Sequence, residues 1–285
     1  MDELRQEADN EVTPIEGVAA GVPYLAVPPA EDRDRAPLVV AWHLMDPPRS
    51  EAAMAAALPL AGVSAWRVYL GLPMFGARAP AGGPDEIMRL AAEDYVLKLF
   101  GPAVEQAAAE APSAVDALRE QLSIDTGPVG LVGGSAGGAV ALLLLAESQL
   151  PVAAAALVNP VVRVRSVVEA GERMYNMSYS WTEKSGAVAD RFDFVERAAE
   201  IGKRDPQPPV LLVGGAEDDP GYREALAGLR DALADHYAEP DRVGFVSVPG
   251  MAHAIAEEPG MEAAPQTSEA KEVDAAVTAW FQRYL

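Results

Sequence analysis

Three runs in this chain, PLVVAW (37–42), VAAAALV (152–158) and VLLV (210–213), are apolar at every position. A strand with one wet face alternates apolar and polar residues, so runs without alternation belong to strands covered on both faces. Between them lie stretches with helical spacing. Strand following helix in this way predicts an α/β domain with a mostly parallel central sheet and helices on both sides.

The remaining elements follow the same rhythm. GVPYLAVP (21–28), SAWRVYLGLP (64–73), residues 128–133 and RVGFVSVP (242–249) read as further strands. Residues 50–61, with Ser50 as N-cap, and residues 136–149, 220–237 and 268–284 read as helices. Residues 85–122 carry helical periodicity with breaks expected at Gly101-Pro102 and near Pro112, giving two or three pieces. Residues 1–20 read as a tail and 21–285 as one domain. Within it, residues 161–205 hold no strand signal and read as a small helical cap inserted over one end of the sheet.

With 22 basic against 43 acidic residues the net charge is −21, a surface that repels phosphate backbones and anionic lipid. Nucleic acid and membrane are therefore not expected partners. The chain has no cysteine, which excludes disulfides, thiolate nucleophiles and cysteine-based zinc sites. The amino terminus MDELRQEADNEV has neither a basic nor an apolar segment of a signal peptide, and no apolar run approaches the ~20 residues that span a bilayer. A cytoplasmic protein is expected; oligomeric state is not readable.

The chemistry-bearing stretch is GPVGLVGGSAGGAVALLLLA (127–146), where Ser135 sits between glycines after an apolar run and before a helix. Gly133-Gly134-Ser135-Ala136-Gly137 fits Gly-x-Ser-x-Gly, a tight strand-to-helix turn whose small flanking residues let the serine oxygen stand clear of the sheet. The helix amino terminus then offers free N–H groups to a developing oxyanion. A phosphate loop would need Lys-Ser/Thr after the glycines, and the Gly-x-Gly-x-x-Gly spacing of a dinucleotide site is absent.

A serine nucleophile needs a base. Of three histidines, His236 lies in a polar helix and His43 ends a strand in the first half of the chain. His253 lies in a loop beyond the last strand, where sites in such sheets gather, and is the preferred base. Glu217, Asp218 and Asp219, following the strand before it, are candidates for the acid that orients an imidazole, and Asp219 before Pro220 also suits a helix cap.

These residues, in the order serine, acid, histidine, make the chain resemble the α/β-hydrolase superfamily over about residues 20–285. The likeness is to esterase-like relatives of prolyl oligopeptidases and dienelactone hydrolases. In that superfamily the nucleophile follows the fifth strand, the acid the seventh and the histidine the eighth. The resemblance selects Asp218 through Gly215-Ala216-Glu217-Asp218 and His253 through Gly250-Met251-Ala252-His253. The loop GLPMFGAR (71–78) resembles the one after the fourth strand.

One departure stands out: relatives carry His-Gly after the third strand, whereas here His43 is followed by Leu44, Met45 and Asp46. The resemblance implies an oxyanion hole from the N–H of Ala136 with that of Leu44 or Met45. It also implies a serine hydrolase that cleaves an ester or related acyl bond of a small molecule, with no metal or organic cofactor. A non-hydrolytic cyclase or lyase, or a silent binding protein on the same scaffold, remains open because fold does not dictate chemistry. His43 and the cluster Met174, Tyr175, Met177, Tyr179 and Trp181 are candidate substrate contacts. The alternative for the cluster is packing of the cap on the core. Arg163, Arg165 and Arg173 read as ion-pair partners of an acidic surface, Trp42 and Trp66 as core.

Overall fold

A computed structural model describes residues 13–31, 33 and 36–285. Eight strands form one sheet in the order β1-β2-β4-β3-β5-β6-β7-β8. They are β1 (Ile15–Ala19), β2 (Val22–Val27), β3 (Leu38–Trp42), β4 (Trp66–Leu70), β5 (Val129–Gly134), β6 (Val152–Val158), β7 (Val210–Gly215) and β8 (Val243–Val248). The first two pairings, β1 with β2 and β2 with β4, are antiparallel and the other five are parallel. Every residue of β3, β4, β5 and β7 is buried, which is why β3, β5 and β7 read as continuous runs without polar alternation, while β4 carries the buried Arg67. This is the α/β-hydrolase fold.

Among the described residues nine α-helices flank the sheet. On one side pack α3 (Gly101–Leu122), α4 (Ala136–Glu147) and α8 (Pro220–His236); on the other pack α1 (Glu51–Ala57) and α9 (Ser268–Tyr284). Helix α4 has no polar stripe because it has no wet face: every residue from Ala136 to Leu145 is buried. The Ser50 hydroxyl caps α1 by accepting from the Ala53 N–H, 3.1 Å. Between β6 and β7 run α5 (Val164–Tyr175), α6 (Glu183–Arg191) and α7 (Ala198–Gly202), with no strand among them beyond a single bridge of Arg163 with Asp193. Among the described residues no helix is long and apolar enough to cross a membrane.

Two expectations are corrected. Residues 15–19, assigned to the tail, form β1, joined to β2 by a two-residue turn in which Ala20 (φ 48°) and Gly21 (φ 86°) are both left-handed. Alanine is an uncommon choice there, so the turn signal is weak. Residues 1–12 lie outside the described residues. The break near Pro112 is also absent: α3 runs unbroken through it, and Gly101-Pro102 opens α3 directly after α2 (Gly83–Asp94) and a π-helical turn (Tyr95–Phe100). Proline at a helix start costs little because the N–H it lacks would have no intrahelical partner there. Pro112 sits mid-helix between buried Ala111 and buried Ala114 and Val115, where core packing offsets the lost hydrogen bond.

Candidate active site

The parallel strands end together on one side of the sheet, where Trp42 pairs with Gly133, Gly134 with Val158, and Gly215 with Val248. The loops leaving β3, β5, β6, β7 and β8 therefore meet, and the candidate residues come from these loops. Ser135 stands between β5 and α4 with φ 47° and ψ −112°, a backbone state that costs a non-glycine residue about 1–3 kcal/mol. Its own backbone bonds hold it there: its N–H donates to Val158 at 3.0 Å, and its carbonyl accepts from Ala139 at 3.1 Å and Val161 at 3.0 Å.

The turn is tight enough to explain its glycines. A Cβ on Gly133 would overlap the Gly137 carbonyl, and one on Gly137 would overlap the carbonyl oxygens of Trp42 and His43. Gly134 has a different reason: the fully buried Leu44 side chain occupies the space its Cβ would take. Leucine is admitted after β3 because glycine stands opposite.

The Ser135 Oγ lies 2.8 Å from His253 Nε2, and His253 Nδ1 lies 2.9 Å from Asp218 Oδ2. With Nδ1–H donating to the carboxylate, Nε2 is left to accept from the serine hydroxyl. Asp218 is buried and its other oxygen accepts from the Asp219 N–H, 2.7 Å. Its neighbours in sequence do other things. Asp219 caps α8 through the Gly221 N–H (2.8 Å) and pairs with Arg173 (2.9 Å), while Glu217 faces solvent. Burial pulls the His253 pKa down more than any other single influence. The hydrogen bond and charge of Asp218, with the charges of Asp46 and Asp219, together outweigh it and leave the pKa above the ordinary histidine value.

His43 is not a substrate contact, which corrects that expectation. It is fully buried, its Nδ1 lies 2.6 Å from the Leu44 carbonyl, and its Nε2 accepts from the Leu72 N–H at 3.3 Å. Burial presses its pKa down to about 4, against the opposing hydrogen bond to Leu44, so the ring is neutral and ties the loop after β3 to the loop after β4. Leu44 is corrected too: its N–H donates to the Pro48 carbonyl, 3.1 Å, and is not free for an oxyanion. Among the described residues the Met45 N–H meets no acceptor, and the Ala136 N–H, first in α4, has no preceding helical turn to bond.

The aromatic and methionine cluster does not close over a pocket. Met174, Tyr175 and Met177 are exposed, so neither expectation, enclosed pocket lining or core packing, describes them. Trp181 stacks edge-on against Tyr179 and lies under Arg165. Only Tyr179 turns in; its hydroxyl donates to Asp94 at 2.5 Å. Arg163, Arg165 and Arg173 are all in ion pairs, with Asp193, Asp190 and Asp219. Trp42 and Trp66 are buried, and His236 is exposed in the last turn of α8. A groove of about 640 Å³ at the opposite end of the sheet, beside Pro37, Ser64 and Arg67, and one of about 280 Å³ along the loop from Ile255 to Gln266 are not lined by Ser135 or His253.

Three residues at the site carry no motif and escape sequence reasoning. Asn159, buried after β6, donates from Nδ2 to the carbonyls of Ala252 and His253, 2.9 Å each, and accepts from the Gly215 N–H at 2.7 Å. One amide thus joins the acid-bearing and histidine-bearing loops. The only signal was an Asn-Pro step at a strand's carboxyl end. Tyr222 of α8 lies against the His253 ring, centroids 5.0 Å apart. The Asp46 Oδ2 lies 3.8 Å from His253 Nε2, on the serine side of the imidazole.

Residues 106–285, more than half of the chain, match the prolyl oligopeptidase family. The chain belongs to that family. Over 152 residues, 53% of this chain, it is 32% identical to the uncharacterized protein Rv2307c of Mycobacterium tuberculosis, of which the match takes in 47%. The chain thus spans about half the length of the curated relatives it matches. Among solved structures it is similar to TT1662 from Thermus thermophilus, at 20% identity and a TM-score of 0.64, over 95% of this chain and 99% of that one. It is similar to the acylaminoacyl peptidase of Pyrococcus horikoshii at 15% identity and a TM-score of 0.66, over 100% of this chain and 43% of that one. A puromycin-hydrolyzing peptidase of M. tuberculosis aligns at 18% identity and a TM-score of 0.63, over 96% of this chain and 39% of that one. At these identities the structural likeness speaks to the fold of this prolyl oligopeptidase family member.

Proposed function

We propose that the protein is a serine hydrolase that cleaves a carboxylic ester, thioester or amide of a small acyl substrate through an acyl-enzyme. The observation that carries this reading is the unbroken line Asp218–His253–Ser135, with contacts of 2.9 and 2.8 Å, on a strained turn at the carboxyl edge of the sheet. Ser135 Oγ attacks the carbonyl carbon while its proton passes to His253 Nε2. Asp218 holds the imidazole in the required tautomer and stabilises the cation that forms. The Ala136 and Met45 N–H groups receive the oxyanion, each donor worth on the order of 3 kcal/mol in the barrier. The imidazolium returns its proton to the leaving group as the acyl bond breaks, and water, deprotonated by His253, then releases the acid. Family membership supports the amide alternative, since the similar solved structures named above include two peptidases.

The test is labelling by a fluorophosphonate probe followed by intact mass. Wild type takes one probe and Ser135→Ala takes none; equal labelling of the two sinks the reading.

A pH profile gives a second check. The base must be neutral to accept a proton, so kcat/KM rises as pH climbs through the His253 pKa. Because Asp218, Asp46 and Asp219 hold that pKa up, the limb is expected above the unperturbed value of about 6.5. A limb below that value on a substrate without ionisable groups contradicts the expected electrostatics.

A further inference from the structure

The carboxylate of Asp46 has no role in the chemistry above, and its place is unfavourable for it. It is no farther from the Ser135 oxygen than the 2.8 and 3.8 Å contacts through His253 Nε2 laid end to end. It also directly follows Met45, whose N–H is offered to the oxyanion. An anion so close to a carbonyl acquiring negative charge opposes that charge.

Nothing else in the described residues neutralises Asp46. Its only ion-pair contact is with His253, which on the alkaline side of its pKa is cationic only while it carries the serine proton. The basic residues nearby are committed elsewhere. Arg49 donates to the Met45 carbonyl and pairs with Glu258, and Arg173 pairs with Asp219. Tyr95 and Tyr222 lie close enough to feel the Asp46 charge, although burial is the larger reason their hydroxyls stay protonated. The Asp46 side chain is 53% exposed, so water satisfies it in the free protein. A substrate seated on Ser135 displaces part of that water and leaves a carboxylate in need of a counter-charge.

Resting on the serine-hydrolase reading, we propose that Asp46 is a specificity-determining residue that receives a protonated amine on the acyl group, and that the preferred substrates are esters or amides of α-amino acids with a free amino group. An ammonium one carbon from the scissile carbonyl pairs with Asp46 and cancels its opposition to the oxyanion. A neutral or anionic group at the same place leaves that opposition intact. The net charge of −21 favours the approach of the same class of cation.

The experiment compares a panel of aminoacyl p-nitroanilides with their N-acetyl counterparts, which differ in the amine's charge and its acetyl cap, over about pH 6–9. The limb shared by both series (His253) is thereby separated from the loss of the ammonium near its ordinary value of about 7.7–8.0, and kcat/KM is compared for the protonated amine. Active-site concentration is set by fluorophosphonate titration. Wild type is expected to favour the free amine by about tenfold or more in kcat/KM, Asp46→Asn to lose about tenfold of that preference, and Asp46→Glu to keep most of it. A preference unchanged in Asp46→Asn overturns the assignment. So does an enzyme that takes the fluorophosphonate but turns over none of the free-amine anilides, and in both cases the hydrolase reading stands. Turnover that persists in Ser135→Ala instead removes the hydrolase reading and this inference with it.

Discussion

Ser135→Ala and His253→Ala are each expected to lower kcat on the preferred acyl substrate by about 10⁴–10⁶-fold, and the double variant to be little worse than either alone. The reason is that the two side chains perform one act: without the imidazole the serine keeps its proton, and without the serine the imidazole has nothing to activate. The 2.8 Å contact between them is what makes their effects non-additive. Asp218→Asn leaves the geometry in place but presents an amide where Nδ1–H needs an anion, and a loss of about 10⁴-fold is expected. Steady-state kinetics on the singles and the double check this. Losses that multiply in the double would show that the two residues act separately, contrary to the proposed mechanism.

The second large effect falls on stability. Gly137→Val is expected to destabilise the fold by about 4 kcal/mol or more, a large share of the 5–15 kcal/mol of a typical domain. The added side chain meets the backbone carbonyls of Trp42 and His43 at the end of the central strand β3, which cannot swing aside as a flexible side chain could. Gly171, inside α5, is the matched control: nothing lies within 4 Å of a Cβ placed there. Gly171→Ala should therefore leave stability unchanged or raise it by about 0.5–1 kcal/mol, as alanine does in helix interiors. Urea denaturation of both proteins measures the difference. A wild-type midpoint for Gly137→Val would show that the turn is not closed against β3.

What could be read from residues alone depended on the range of the interaction. Strands β3, β6 and β7 were legible because burial on both faces leaves a local imprint, an apolar run without alternation. The Ser50 cap and the Asp219 cap were legible because both bonds close within three residues. The hairpin of β1 was not, because its turn relies on a left-handed alanine that only pairing with β2 sustains. Continuity through Pro112 was not, because the compensation comes from the core. His43 illustrates the limit at the site: its type and position suit a substrate contact, yet two backbone bonds within the interior consume both ring nitrogens.

By itself, then, the sequence determined the layered α/β architecture and the turn that exposes Ser135, since both follow from steric and hydrophobic demands met by residues close together in the chain. The residues alone left Glu217, Asp218 and Asp219 open as the acid; the family resemblance selected Asp218 with His253, and the structure places them after β7 and β8. Tertiary structure alone decided how these residues meet. Ser135 and His253 are 118 residues apart, and Asn159 joins their supporting loops across the sheet edge. The same holds for the loop after β3, where Pro48 takes the Leu44 N–H and Leu44 fills the space beside Gly134. It holds as well for Asp46, whose charge gains meaning only from its 3.8 Å approach to the imidazole. Hydrogen bonds and Coulomb forces act over a few ångströms of space, and residue order does not specify those distances until the chain has folded.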